Sequence, residues 1–575
     1  NTRTQSEKVI LASSRVDKPE KSISNISRIT TMASSPTKQA AVRLKFSVKP
    51  VKLNLLWAII LQALHFIQDL VDVLTTFIFR LLNEGKSQPL PDITNPILFH
   101  SATRLAADIR NQKLTSLEVV KAYIDRINSV NDIVNAVVDE RFDDAIGEAH
   151  SVDQFILSGQ KSVEEIENDT PFLGVPITIK ENFQTVGLLV RKDAVQTEDA
   201  TAVRLMREAG AIVVAVTNLS ELCTWWESNN KVYGRTRNPY DTTRIVGGSS
   251  GGEGCIVGSA GSIMGIGTDL GGSIRLPAFF NGVFGHKPTM GLVNNQGHLP
   301  ALSEGLQSYL VTGPICRYAC DLLPITRILV EDKIGLLKLN EKVDLKRLKV
   351  YYMENDGGFP IISRVQPEMR KAQRKVILYL ERTYGIRAQK VHFPTLVRGL
   401  EMWAYTMIGL HKHTFCEEMT NRQGSINVYF ELLKCLFGCS NHTLPALLIG
   451  FYEKLGIGKR KKDMDLIIDM IDKLKTDFQE LLKDDGIFLY PSHPTVAPYH
   501  NQPLFQPANF VYAAVYNILG FPVTQCPLGL GTEGLPLGIQ VLSNVYNDHI
   551  TLAVARDLER EFGGWVPPSP IASNI

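Results

Sequence analysis

Cysteine is scarce in this chain, eight in 575 residues. The pairs Cys316/Cys320 and Cys435/Cys439 lack the two-residue gap of a zinc knuckle, and no clustered histidine completes a site. No metal is expected, and nothing calls for an oxidising compartment. Net charge is small, +2 at pH 7, which removes any global bias toward nucleic acid as a partner. Internal repeats are absent. So is an uncharged apolar run long enough to span a bilayer, which takes about twenty residues. The longest uncharged stretch at the hydrophobic segment near the N-terminus, residues 53–68, is sixteen.

What charge there is lies unevenly. Residues 1–52 hold eleven Lys or Arg against three acidic residues, a local +8 that leaves −6 for the rest. Such a basic arm suits an anionic membrane surface or nucleic acid, with a solvated disordered tail as the alternative. Residues 1–31 are polar and aperiodic, so Met32 is read as a start and the preceding part is excluded from fold reasoning. From Leu53 to Leu61 the chain is apolar except for Asn54. Beyond it, Gln62, His65, Asp69, Asp72, Thr76, Arg80 and Asn83 recur every three or four residues and share one helical face. The expectation is a helix over 53–83 that enters a membrane with its first half and lies along the interface with its second. The runner-up is a single spanning anchor, its basic flank holding the N-terminus in the cytosol; a third reading is an ordinary packed helix.

A linker over 85–96 rich in Pro, Ser and Gly leads to a globular part expected over 90–575. Thr115-Ser-Leu-Glu118 is a capping box before an amphipathic helix to about Asn128. Ile177-Thr-Ile-Lys180 reads as a strand, and a helix over 199–209 precedes a strand over 212–217. Further helices are expected over 367–384, 463–482 and 548–562, with strands near Ile487 and Gly538. Strands alternating with helices argue an α/β fold with a large, mostly buried central sheet covered by helices. The apolar stretch 429–456 breaks at Gly438-Cys-Ser-Asn-His-Thr-Leu-Pro445 and is followed by Lys459, Arg460, Lys461 and Lys462. It reads as a helix-turn-helix with an apolar tip and a basic collar.

The most specific feature is the run from Gly247 to Pro277. It reads Gly247-Gly-Ser-Ser-Gly-Gly-Glu-Gly-Cys255, then twelve residues, then Thr268-Asp-Leu-Gly-Gly-Ser-Ile-Arg-Leu-Pro277. Ser249 and Ser273 each sit among glycines, which let backbone N–H groups converge on one point. Such a nest suits a phosphate or the oxyanion of an attacked carbonyl, and a serine beside it favours the second.

This tandem pattern resembles the amidase signature family, whose enzymes use a Ser-Ser-Lys triad. The likeness runs from about Pro91 to Trp565 and is nearest to the fatty acid amide hydrolases, the membrane-associated second type in particular. Thr217-Asn-Leu-Ser-Glu-Leu-Cys-Thr-Trp-Trp-Glu227, Phe279-Phe-Asn-Gly-Val-Phe-Gly-His-Lys-Pro288, Leu489-Tyr-Pro-Ser-His-Pro-Thr-Val-Ala-Pro498 and Gly534-Leu-Pro-Leu-Gly-Ile-Gln-Val541 carry it. The resemblance implies Ser273 as nucleophile, with the amides of Leu270, Gly271, Gly272 and Ser273 as oxyanion donors. It implies Ser249 as proton relay behind a cis bond to Gly248, with Ser250 in support, and Lys180 of Gly174-Val-Pro-Ile-Thr-Ile-Lys180 as base. A base role requires an uncharged amine, which burial favours. Asp269 and Arg275 are expected to brace the loop, and no cofactor is implied. His286 invites a Ser-His-Asp reading, set aside because Ser-Ser-Lys is complete. The glycines from Gly265 to Gly272 are wrongly spaced for a dinucleotide fingerprint.

By the same resemblance, 429–462 would be a membrane-facing cap. The implied partners are a lipid-like amide substrate and a membrane or lipid-droplet surface, with a homodimer left open. Two alternatives stand beside this reading: an amidotransferase-type subunit acting on charged transfer RNA, and a catalytically inactive membrane-bound homologue. The second rests on one departure, a segment between Gln184 and Asp193 about six residues shorter than the family usually carries. The sequon Asn441-His-Thr443 would be modified only in a lumenal domain.

Overall fold

The computed structural model describes residues 55–190, 194–456 and 461–572. The basic arm 1–52, residues 53 and 54 of the expected anchor helix, and Lys459 and Arg460 of the expected collar lie outside the described residues.

One mixed sheet of eleven strands organises the chain. In chain order these are β1 (Val137–Glu140), β2 (Pro176–Lys180), β3 (Ile212–Thr217), β4 (Met264–Asp269), β5 (Phe284–Lys287), β6 (Val311–Cys316), β7 (Lys349–Tyr352), β8 (Gln389–Lys390), β9 (Gly486–Tyr490), β10 (Val523–Leu530) and β11 (Pro536–Ser543). Across the sheet they run β1-β3-β2-β4-β6-β5-β10-β11-β9-β7-β8. The pair β2–β3 is parallel, as are β2–β4 and β7–β9; β4–β6 and β10–β11 are antiparallel. Every residue of β2, β3 and β4 is buried, as expected of parallel strands covered by helices on both faces. Burial on both faces also explains why Thr178 and Lys180, alternating with Ile177 and Ile179, are out of water.

Most elements fall where sequence periodicity places them. Helices cover Pro367–Tyr384, Lys461–Leu482 and Asp548–Phe562. The helix opened by the capping box runs Ser116–Val134, past the expected end near Asn128. The buried Val130 and Val134 keep the apolar face going, and Asn135, at φ 51°, ends it in the left-handed conformation.

The N-terminal helix, Leu55–Asn83, is amphipathic in an inverted sense. Its polar stripe faces the rest of the chain: Asp72 accepts from Gln506 Nε2 at 3.0 Å, Thr76 Oγ1 from Gln502 Nε2 at 2.9 Å, and Asp69 pairs with Arg364 at 2.8 Å. Phe79 adds ring contacts with Tyr499 and Phe505. Outward lie Phe66, Leu70, Val73, Leu74, Phe77 and Ile78, all exposed. Among the described residues no helix is long and apolar enough to cross a membrane, so the spanning anchor is not found there. The physical reason is the recurrence of Asp69, Asp72 and Arg80 inside the helix.

The stretch over 429–456 forms two helices that pack on each other, Val428–Leu436 and Leu444–Lys454. Cys416, Val428 and Leu447 make a small core beneath them, whereas Phe430, Leu433, Leu436 and Phe437 are exposed. The loop between them is tied down by Glu221, which accepts from Thr443 N at 2.7 Å and lies 2.8 Å from His442 Nδ1.

Candidate active site

Three segments converge at one end of β2 and β4. Lys180 is the last residue of β2. Gly247–Ser250 leads into the helix Gly251–Gly258, and the turn Leu270–Ser273 links β4 to the helix Arg275–Phe280. Glycine is required by space at several of these positions, Gly248 and Gly272 among them. A Cβ on Gly248 would stand 2.5 Å from the Trp225 carbonyl oxygen, and Gly272 has φ +101° with Ala513 Cβ only 2.6 Å from where its own Cβ would lie.

Lys180 Nζ donates to Ser249 Oγ at 2.7 Å and to Thr268 Oγ1 at 2.8 Å. The Gly248–Ser249 peptide bond is cis. Lys180 and Ser249 are buried, and Ser273 is half-buried. Burial lowers the pKa of Lys180; the charges of Cys223, Asp269, Glu253 and Glu181 oppose it without overcoming it. Ser249, Thr268, Leu270 and Ser273 line one cavity of about 620 Å³, whose lining also includes Cys223, His298, Phe415 and Arg422.

The turn carrying Ser273 is held from below. Asp269 accepts from the amides of Gly272 at 2.7 Å and Ile274 at 3.1 Å, and from Asn517 Nδ2 at 2.9 Å. Arg275 Nε and Nη2 each reach Asp269 at 3.0 Å; Nη1 donates to Ala513 O and Gln540 Oε1 at 2.8 Å, and Nη2 to Asn517 Oδ1 at 2.7 Å. Burial alone would raise the Asp269 carboxyl, but the guanidinium outweighs it and holds the group below the usual carboxylate range. One sequence expectation needs amending here. The Gly272 amide is committed to Asp269, which leaves Leu270, Gly271 and Ser273 as the amides of the nest not tied to that carboxylate. Ser250, read as a supporting residue, donates from its amide to Ser273 O at 3.2 Å and from its Oγ to Thr268 O at 3.3 Å.

Several neighbours carry no motif of their own. Thr268, the second partner of Lys180, lies in the glycine-rich run, where no local pattern marks it. Trp403 donates from Nε1 to Leu270 O at 3.0 Å, and its ring covers Gly271; nothing in the sequence around it links it to a turn 130 residues earlier. Glu253 is buried behind β2 and accepts from Thr178 Oγ1 at 2.8 Å and Thr217 Oγ1 at 2.9 Å. Burial pushes its carboxyl up to about 8, although both hydroxyls and Lys180 pull it down. His286, set aside in the sequence, is buried against Thr524 at 2.9 Å and Asp548 at 3.3 Å and does not line the cavity. In the short segment, Leu189–Val190 pairs with Ala194–Val195, and residues 191–193 lie outside the described residues. Among the described residues, no group of three or more His, Cys, Asp or Glu is placed to hold a metal ion.

The Amidase family model matches residues 118–552. This chain belongs to the amidase signature family. Among curated relatives, the amidase is 46% identical to fatty-acid amide hydrolase 2 of Homo sapiens over 488 residues, 83% of this chain and 91% of that one. It is 44% identical to fatty-acid amide hydrolase 2-B of Danio rerio over 520 residues, 88% of this chain and 98% of the relative. A solved fatty acid amide hydrolase superposes with a TM-score of 0.64 at 21% identity, covering 88% of the amidase and 91% of that chain, which shows a shared fold.

Proposed function

We propose that this amidase is a membrane-associated serine hydrolase that cleaves fatty acid amides to a free fatty acid and an amine, through an acyl-enzyme on Ser273. The observation that carries the reading is the buried 2.7 Å contact of Lys180 Nζ with Ser249 Oγ at a cavity also lined by Ser273. In this mechanism the uncharged Lys180 takes the hydroxyl proton of Ser249, which takes that of Ser273. Ser273 Oγ attacks the amide carbon. The oxyanion falls to the amides of Leu270, Gly271 and Ser273, with removal of one such donor worth about 3 kcal/mol in comparable enzymes. The proton returns through Ser249 to the departing nitrogen, the C–N bond breaks, and water hydrolyses the acyl-serine ester.

The substrate class follows from the relatives named fatty-acid amide hydrolase 2. Membrane association is supported by the outward apolar stripe of Leu55–Asn83 and by the exposed Phe430, Leu433, Leu436 and Phe437, since contiguous apolar surface of this kind marks a lipid or protein contact. The test is turnover of oleoyl amide by purified protein, with labelling by a fluorophosphonate probe. Ser273→Ala abolishes both. Labelling that persists in that variant would move the nucleophile elsewhere, and absence of turnover in the native enzyme would refute the hydrolase reading.

A further inference from the structure

The backbone of the turn Leu270–Ser273 is held from the carbonyl side. A peptide unit is planar, and in the trans form its C=O and N–H point in opposite directions. The units 269–270, 270–271 and 272–273 are trans. A donor that holds the carbonyl of such a unit therefore fixes the direction of its N–H. All three units have one. Asp269 O accepts from Asn517 Nδ2 at 2.9 Å, Leu270 O from Trp403 Nε1 at 3.0 Å, and Gly272 O from Leu276 N at 2.8 Å. The amides aimed in this way are those of Leu270, Gly271 and Ser273, the three not tied to the Asp269 carboxylate.

Trp403 is the member of this set that a substitution can remove cleanly. The Leu276 donor is backbone, and Asn517 also binds the Asp269 carboxylate and Arg275. An indole has a single N–H, and this one is spent on Leu270 O. The ring is set for that bond from both sides. Trp403 lies on the helix Gly399–Leu410, edge-on to Phe510 at 78° and 4.8 Å between centroids. It approaches Gly271 so closely that a Cβ there would stand 3.2 Å from Trp403 Cζ2. Leu270 and Ser273 line the cavity and Trp403 does not, so the indole reaches the turn from outside. Without its bond the Leu270–Gly271 unit is free to rotate, because glycine accepts either sign of φ. With it, the engaged carbonyl also polarises the N–H at the other end of the unit.

We propose that Trp403 is a positioning residue for amide hydrolysis: by holding the Leu270 carbonyl, its indole N–H aims the Gly271 amide at the oxyanion that forms when Ser273 attacks. This rests on the hydrolase reading above and adds a side chain that works only through the backbone. A donor aimed in advance acts on charge that develops in the transition state. Its loss therefore lowers kcat and kcat/KM together and leaves KM nearly unchanged.

The test is steady-state hydrolysis of oleoyl amide by the native enzyme and Trp403→Phe, with inhibition by oleyl trifluoromethyl ketone. Phenylalanine keeps a ring against Phe510 and Gly271 but has no N–H. The ketone carbon takes the bond from Ser273 Oγ while the serine proton passes through Ser249 to Lys180, which leaves a charged oxygen at the nest. In Trp403→Phe kcat should fall by about 10-fold or more, within the 10²–10³-fold of a donor lost outright, while KM stays within about 2-fold. The Ki of the ketone should rise by the factor that kcat loses. Benzothienylalanine at position 403, the same bicycle with sulfur in place of N–H, should reproduce both changes, and it decides the matter if Trp403→Phe shows no native melting transition. A folded variant with kcat and Ki both within about 2-fold of native overturns the proposal. So does a loss carried by KM alone, or a fall in kcat with no change in Ki. A native enzyme that turns over no oleoyl amide would remove the hydrolase reading and this role with it, a result distinct from native turnover that Trp403→Phe leaves intact.

Discussion

Arg275 offers the sharpest test of how the turn carrying Ser273 is held. It is fully buried, and its guanidinium makes five hydrogen bonds, two of them to Asp269. Arg275→Met preserves bulk but leaves the Asp269 carboxylate buried without its counter-charge, a loss of about 3–5 kcal/mol. At roughly 2.1 cal/mol/K per residue, unfolding 575 residues carries an entropy near 1 kcal/mol/K. The melting temperature should therefore fall by about 3–4 °C in calorimetry. The sign of its pH dependence is also set. In the native protein Asp269 titrates below its ordinary value, so its stabilisation is present above that value and lost as pH falls through the lower one. Without the guanidinium, burial raises the carboxyl instead, and the variant's deficit shrinks as pH drops. The same carboxylate orients the amides of Gly272 and Ile274. The turn therefore loosens and turnover falls, by up to the 10²–10³-fold of a lost oxyanion donor. Asp269→Asn combined with Arg275→Met should recover most of the stability and little of the rate. A single variant that melts within about 1 °C of native and labels at the native rate would refute this account.

Three further outcomes are expected. Because burial lowers the pKa of Lys180 and the proposed mechanism uses the uncharged amine, kcat/KM should rise with pH through an inflection below the ordinary lysine value of 10.5. Lys180→Met should lose that rising limb, and a native profile flat from about pH 6 to 10 would count against the assignment. Glu253 titrates near 8 rather than 4.5, so its stabilisation is complete at acid pH and lost as pH rises through about 8. Glu253→Gln should gain on the native protein by about 3 kcal/mol, some 2–3 °C, between pH 6 and 9, and a pH-independent difference in melting temperature would show the carboxyl to be ordinary. Replacing Phe66, Leu70 and Phe77 with serine should abolish flotation with phosphatidylcholine vesicles while leaving fluorophosphonate labelling intact; unchanged flotation would move the lipid contact off this helix.

Local chemistry carried the elements well, because their signals are local. The capping box at Thr115, the alternation in Ile177-Thr-Ile-Lys180 and the glycine-flanked serines each need only a few neighbouring residues to be read. Contacts that close through the sheet could not be read this way. Trp403 meets Leu270, Asn517 meets Asp269, and His298 shares a wall with Ser273, each across a separation no periodicity encodes. The period of the Leu55–Asn83 helix was plain, but not which side the protein would take. A polar stripe faces water unless another surface offers partners, and Gln502, Gln506 and Arg364 offer them. The committed amide of Gly272 is a similar case, for only coordinates show that Asp269 stands beneath it.

The inverted helix has a practical consequence. The polar partners it meets on the rest of the chain include Gln502, Gln506 and Arg364, groups that water can satisfy as readily as the helix does. Cutting the chain beyond Asn83 would therefore take that apolar stripe away and leave the exposed Phe430, Leu433, Leu436 and Phe437 as the remaining greasy patch.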